Sequence, residues 1–265
     1  MAPKIPDRWI PYKACGNVIE GTRIICFKVP LRRIVQAKVV ASKDIWDIKA
    51  LLKAIPKLRA VIDLTNTARY YDPKEFKSAG IVHRKLLMPG RVIPPESKVT
   101  QFFNTVDVLL GEDSDSLVGV HCTHGLNRTG YMVCRYMRDR LGIPANEAVK
   151  RFEEARGYKM ERDNYIADLL GKTVPPPDVG NDTIVKPIVN KRTVEYCSPL
   201  NDYNDEDSNN DESKKRRFGN QSTPKRRRDN TNKRNEKSIK SSKHKKRRDS
   251  APEKSSYQYD YKYDY

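Results

Sequence analysis

The feature that most constrains this 265-residue chain is a short apolar run, Leu-Val-Gly-Val-His at 117–121, that stops at Cys122 and is followed by Arg128, Thr129 and Gly130. A continuous apolar run of that length reads as a strand buried on both faces. Beyond Arg128, the spacing of Met132, Val133, Tyr136, Met137 and Leu141 predicts a helix with these residues inward, ending at Gly142. The chain must therefore pass from strand to helix through residues 122–128. A loop that short, closed by a helix start, curls its N–H groups inward as an anion cradle. Gly125 supplies the positive φ or close backbone approach that the curl requires. Cys122 lies at the bottom, where N–H groups and a helix N-terminus lower a thiol pKa from ~8.5 toward ~3.5–7.5. Arg128 brings a planar fork that can hold two phosphoryl oxygens at once. Cys122 and Arg128 are thus the candidate catalytic pair, and Thr123, His124, Gly125, Leu126 and Asn127 form the phosphate-binding loop with Arg128. His121 is expected to orient its neighbour rather than act as a base. Thr129 is expected to cap the helix and assist departure of the thiolate.

Blander readings of the same residues fit less well. A lone Cys is often a core thiol, but the strand, the five-residue gap and the Arg at a helix start are unusual for one. Zinc binding by His121, Cys122, His124 and Cys134 matches no ligand spacing, and Cys134 falls inside the helix. Asn127-Arg-Thr matches a glycosylation sequon, but it sits inside the candidate active loop. Cys15, Cys26, Cys134 and Cys197 read as reduced structural thiols, since five widely spaced cysteines do not make a disulfide framework.

Around this motif the chain reads as an α/β domain over residues 5–172. Strands are expected at 23–27, 60–64, 81–87 and 117–121. Helices are expected at 45–55 with Asp44 as N-cap, at 99–110 after Pro94-Pro95, at 147–155 and at 162–170. Residues 173–265 change character: a proline run opens a segment of Asn, Asp, Ser, Lys and Arg that cannot bury enough surface to fold, so it is expected to be a disordered basic tail. It carries basic clusters at 214–217, 225–228 and 243–248, and a Tyr at every second position from 257 to 265. The whole chain holds 52 Lys and Arg against 34 Asp and Glu, a net charge of +18, which points to a polyanionic partner with nucleic acid first. The tail clusters suggest nuclear import or RNA contact. No apolar run approaches a membrane span, and no apolar signal segment opens the chain.

A cysteine phosphatase acting on a phosphomonoester needs a proton donor for its poor leaving group, commonly an Asp some 30 residues before the nucleophile. The corresponding stretch here, 87–96, offers only Glu96, whose place beside Pro95 suggests capping; Asp63 is more remote. A phosphoanhydride needs less help, because its leaving phosphate has a pKa near ~6 against ~10 for a tyrosine phenol. Anhydride cleavage is therefore favoured. Arg69, beside Tyr70 and Tyr71, is a possible substrate contact, with the tyrosines available to stack on a base. Arg91 and Arg156 have weaker cases as substrate contacts, and the blander reading of both is an exposed charge.

HCTHGLNRTG at 121–130, with IDLTNTARYYD at 62–72, PDRW at 6–9, ICFKVPLR at 25–32 and residues 141–170, resembles the metal-independent RNA 5′-triphosphatases of the dual-specificity phosphatase superfamily. The RNA/RNP-interacting and baculovirus phosphatase branch is the nearest in pattern, and capping-enzyme triphosphatase domains are more distant. The resemblance implies a cysteine-phosphatase fold with a central mixed sheet flanked by helices, a cysteinyl-phosphate intermediate and no metal or other cofactor. It implies removal of the γ- and β-phosphates from RNA 5′ ends to leave a monophosphate. Expected partners are RNA with a 5′-triphosphate or diphosphate end and, through the tail, RNP, splicing or silencing proteins; a nuclear monomer is expected. The rival functions are a dual-specificity protein phosphatase and a nonenzymatic RNA 5′-end binding module.

Overall fold

The computed structural model describes residues 4–177 together with 185, 187 and 188. Its centre is a five-stranded mixed sheet in the order β1-β2-β5-β3-β4, built from β1 (Cys15–Val18), β2 (Ile24–Phe27), β3 (Leu58–Asp63), β4 (Val82–Lys85) and β5 (Leu117–His121). The last four strands are parallel and β1 pairs antiparallel with β2. The helices are α1 (Arg33–Gln36), α2 (Ile48–Ala54), α3 (Lys74–Ser78), α4 (Glu96–Gly111), α5 (Asn127–Asp139), α6 (Ala145–Arg156) and α7 (Asp163–Leu169).

The strands read as unbroken apolar runs because both faces of the sheet are covered. Side chains alternate between two cores. Ile24, Cys26, Ala60, Ile62, Val118 and Val120 meet the apolar faces of α4, α5, α6 and α7. Ile25, Phe27, Leu58, Val61 and Leu117 pack with Trp9, Trp46, Leu51 and Phe76 on the other side. α5 runs through the first core with every residue from Arg128 to Met137 buried. Gly119 leaves the space that its neighbours fill: a Cβ there would stand 2.5 Å from the Phe27 ring and 2.9 Å from Leu58.

All four expected strands and five expected helices exist, with bounds shifted by a few residues. Asp44 is not the α2 cap. It ends a 3-10 turn at Ser42–Asp44, and Asp47 accepts the capping bond from Ala50 N at 2.8 Å. Ile45 and Trp46 intervene because the buried Trp46 donates its indole N–H to Lys28 O at 2.8 Å, which holds the chain extended there. Leu141, expected inward, is exposed, because α5 ends at Asp139 and the chain turns out before Gly142. β1, α1 and α3 had not been anticipated. Beyond the domain bound expected at 172, Val185 packs against the first core, Pro187 bridges Tyr158, and Ile188 N donates to Gly157 O at 2.8 Å. The basic clusters, the alternating tyrosines, Cys197 and the rest of the expected tail lie outside the described residues. Among the described residues, no helix is long and apolar enough to cross a membrane.

Gly119→Ala should overpack the junction of Phe27 and Leu58 and cost about 1–3 kcal/mol. A urea titration would show the loss as a lower midpoint at unchanged slope; an unaltered midpoint would mean that the Phe27 ring yields freely.

Candidate active site

Four adjacent parallel strands end on one edge of the sheet, at Phe27, His121, Asp63 and Lys85, so the loops that follow them converge there. That is where ligands bind in open α/β sheets. The loop after β5, residues 122–126, delivers Cys122 to the floor of a cavity of about 270 Å³.

The curl of this loop is set from behind. Arg156, at the end of α6, is fully buried and donates from Nε to Gly125 O (3.1 Å) and from Nη2 to His124 O (3.0 Å) and Lys13 O (2.9 Å). Pinning those carbonyls outward turns the peptide N–H groups toward the centre. The expectation of Arg156 as an exposed charge is corrected: it is the loop's internal anchor. Gly125 sits at φ +63°, and a Cβ there would stand 2.0 Å from Phe27 O, so only glycine fits.

Cys122 is 3% exposed. Burial pushes its thiol up, but the Arg128 guanidinium, the Thr129 hydroxyl and N–H and the Leu126 N–H outweigh burial and hold it below the ordinary value. Among the described residues the buried Thr129 hydroxyl meets no hydrogen-bond partner in geometry, which leaves it available to the Cys122 sulfur whose thiol it lowers. Arg128 is held in place by Met88 O (2.9 Å), Leu64 O (3.4 Å) and the Thr123 hydroxyl (3.0 Å). The expected pair and its cradle are therefore assembled as one unit.

His121 points to the other side of the sheet. Its Nδ1 faces Cys122 O at 3.1 Å and its Nε2 faces the Tyr71 hydroxyl at 2.9 Å. Burial lowers its pKa to about 4 against the opposing pull of Asp63, so at neutral pH it orients the loop as a neutral ring. Asp63, considered as a remote acid, is not one. Burial would raise its pKa, but His121, Lys85 and the Tyr71 and Thr65 hydroxyls together hold it lowered and ionised. Glu96 does not act as a side-chain cap; it forms a bidentate pair with Arg135, both contacts at 2.9 Å, away from the cavity.

The cavity wall contains Arg8 and Arg162, which sequence reasoning missed, and Arg91, which it weighed only as a weaker substrate contact. Beside Arg128 stand Arg8, Arg91 and Arg162. Among the described residues Arg8 (φ +58°) and Arg91 (φ +67°) alone combine positive φ with a side chain, a conformation costing about 1–3 kcal/mol each and typical of functional positions. The surroundings enforce it. Arg8 donates to Glu161 and to the Tyr12 hydroxyl, both at 2.6 Å, while Asn164 Nδ2 holds Arg91 O at 2.6 Å. Glu161 in turn accepts from Tyr12 and Asn127, tying this rim to the loop. Arg91, expected to be exposed, is 9% exposed, because α7 covers its backbone. His124 donates from Nε2 to Asp7 O at 2.7 Å, and burial lowers its pKa to about 4. Asp7, at the mouth and exposed, is the one carboxylate in the lining among the described residues.

Arg69 is exposed beside the Tyr70 ring (5.2 Å) and does not line the cavity. Tyr70 and Tyr71 are buried, 4% and 5% exposed, and cannot stack on a base; Tyr71 is spent on His121 and Asp63. Among the described residues no metal-binding cluster of His, Cys, Asp or Glu forms, and Cys134 faces Ala148 O. A more open depression of about 330 Å³ near Arg23, Leu110 and Tyr136 holds no nucleophile.

Residues 45–173 match the dual specificity phosphatase catalytic domain. A tyrosine-protein phosphatase of Autographa californica nuclear polyhedrosis virus is 50% identical over 165 residues, covering 62% of this chain and 98% of the viral one. The Homo sapiens RNA/RNP complex-1-interacting phosphatase is 40% identical over 171 residues, covering 62% of this chain and 51% of the human one. Its Caenorhabditis elegans homolog is 41% identical over 174 residues, covering 63% and 75%.

The thiols should separate by pH. Cys122 should react with iodoacetamide at neutral pH and on the acid side of an ordinary thiol, while Cys26 and Cys134, raised by burial, stay protonated and unlabelled. Arg128→Ala should move the Cys122 profile to higher pH. Peptide mapping after timed alkylation would check both, and an unmoved profile would remove Arg128 from the thiolate's support.

Proposed function

The chain belongs to the dual-specificity phosphatase family and is a phosphatase of that superfamily, and we propose that its substrate is RNA bearing a 5′-triphosphate or diphosphate. The observation that carries this reading is the cavity wall: Arg8, Arg91, Arg128 and Arg162 line it with Cys122, and among the described residues the only lining carboxylate, Asp7, is exposed at the mouth. One guanidinium suffices to hold the phosphoryl group under attack, as Arg128 does. Three more suit a chain of phosphates that extends outward from it.

In this reading the Cys122 thiolate attacks the γ-phosphorus in line with the bridging oxygen. The S–P bond forms as the bridging P–O bond breaks, and the electron pair leaves on the β-phosphate. The loop N–H groups and Arg128 hold the equatorial oxygens. Water then attacks the phosphocysteine, releases inorganic phosphate and returns the thiolate, which Thr129 stabilises. A diphosphate end can enter again. The α-phosphate would leave as the ribose alkoxide, a far stronger base than a phosphate or a phenolate. Asp63 is ionised and Glu96 paired to Arg135, which leaves only the exposed Asp7 among the described lining residues as a carboxyl. The reaction should stop at the 5′-monophosphate.

A second reading rests on Asp7. It lines the mouth and is a carboxyl that could protonate a phenolate, which would suit phosphotyrosine. Asp7→Asn distinguishes the two: anhydride hydrolysis should change less than about threefold, whereas a donor loss typically costs about 10²–10⁴-fold.

End-labelled triphosphate RNA, incubated with enzyme and a chelator and resolved by phosphate number, should give diphosphate and then monophosphate. Cys122→Ser should abolish this while still binding the 5′ end. Arg91→Ala should raise KM for the triphosphate by about tenfold, one lost charged contact, and change p-nitrophenyl phosphate hydrolysis little. Substantial 5′-hydroxyl product, or activity surviving in Cys122→Ser, would contradict the mechanism.

A further inference from the structure

The segment leaving β2 does something that neither the fold nor the chemistry at Cys122 requires. Residues 32–44 form an almost wholly exposed loop at the same sheet edge as the nucleophile. Its entry is fastened to the phosphate loop, since Val29 N donates to Thr123 O at 3.1 Å. Leu31 N donates to Trp46 O at 2.9 Å and closes the base. Gln36, fully buried, fills that base: its amide donates to Leu31 O (2.8 Å) and Trp46 O (3.0 Å) and accepts from Trp46 N (2.8 Å). Arg32 N bonds Tyr70 O at 3.0 Å, which brings the exposed Arg69 alongside.

This rigid platform displays an unusual outer face. Ile34 is 80% exposed and Val39 64% exposed, although neither helps close the loop. Between and around them stand exposed Arg32, Arg33, Lys38 and Lys43; the acid nearest them in the loop is Asp44, and Arg33 also reaches Asp47 at 3.5 Å. Exposed cations on such a face match a single-stranded nucleic acid, whose phosphates seek the charges. Its unstacked bases can lie against the Arg32 and Arg33 guanidinium planes, with Ile34 and Val39 as flanking apolar contacts. A platform held by its own buried hydrogen bonds loses little entropy on docking.

We propose that residues 32–44, with Arg69, form the docking surface for the RNA strand beyond the 5′ phosphates. The proposal rests on the RNA reading of the cavity and deepens it: the cavity receives the polyphosphate, and the loop receives the nucleotides that follow. An oligonucleotide should gain affinity from length, and a free nucleoside triphosphate should gain nothing from the loop.

The test uses the full chain with Arg32→Ala, Lys38→Ala and Lys43→Ala combined. A charge-matched control replaces Lys53, Lys57 and Arg59, around the start of β3 at the far edge of the sheet, by Ala. Binding is measured on single-stranded RNA long enough to leave the cavity, once with a 5′-triphosphate and once with a 5′-hydroxyl. The loop variant should weaken both by about tenfold near ~0.1 M salt, and its log–log salt slope should become shallower by about 2, as expected for three lost single-strand phosphate contacts. Its hydrolysis of a nucleoside triphosphate should be unchanged. Equal losses in the control and loop variants would reduce the effect to general charge and overturn the proposal, as would unchanged binding. If the wild type binds both RNAs yet leaves the triphosphate intact, the proposed activity fails while the loop result is still decisive for docking.

Discussion

Everything the phosphate loop can do depends on the direction in which its peptides point, and that direction is set by a guanidinium buried behind it. Arg156 ties down His124 O and Gly125 O from the end of α6. Without those tethers a loop of this length would share its N–H groups between solvent and Cys122. With them, the Cys122 sulfur is surrounded by donors and by Arg128, which outweigh burial and hold its thiol below the ordinary value. The cost is a second buried cation: Lys28, lying at 3.7 Å over the Trp9 ring, is brought down to about 7 by burial and by Arg156. Its Nζ is satisfied by Tyr12 O and Trp9 O, so the N-terminal segment becomes part of the loop's support. That segment then carries Arg8 to the cavity. One α6 side chain thereby links nucleophile, cradle and outer rim.

The parts legible in the sequence were those whose physics is local. An apolar run ending at Cys122, with an Arg at a helix start, specifies a strand and a curl by residue type and spacing alone, and the structure has both, with Arg128 and the loop donors holding the Cys122 thiol below its ordinary value. Gly125 was legible for the same reason. Arg156 and Arg91 were not, because an Arg on a helix end or in a Pro-rich loop carries no mark of burial; only the packing of α6 and α7 reveals it. Tyr70 and Tyr71 looked like a stacking platform because adjacency to Arg69 is a sequence property, whereas facing inward is not. Asp7 and Arg8 lie more than a hundred residues before Cys122, and only the closed fold brings them beside it. The helical cap moved from Asp44 to Asp47 because the demand for a buried Trp46 overrode a plausible local signal.

The chemistry follows from what the cavity has in excess and what it lacks. In the proposed reading, the four guanidinium groups of the lining stabilise charge already present on a polyphosphate, and they do so equally well before and during transfer. A phosphomonoester instead demands a proton for its leaving group, and three carboxylates around the site are engaged: Asp63 among His121, Lys85 and two hydroxyls, Glu96 with Arg135, Glu161 with Arg8 and Tyr12, which leaves Asp7 at the mouth as the carboxyl to test. In the proposed reading, specificity for an anhydride comes from committing these acids elsewhere while adding cations. The strained backbones of Arg8 and Arg91 are consistent with that arrangement, since each places a cation where an unstrained chain would not.

The central claim is preference for an RNA 5′ anhydride over a protein phosphomonoester. It is tested most directly by kcat/KM for a triphosphorylated oligonucleotide and a phosphotyrosine peptide, measured on the same preparation with chelator present. An RNA value at least about 10²-fold higher is predicted, the lower end of what a missing proton donor withholds from the monoester. A peptide value equal to or above the RNA value would contradict the claim and make Asp7 the acid of a protein phosphatase.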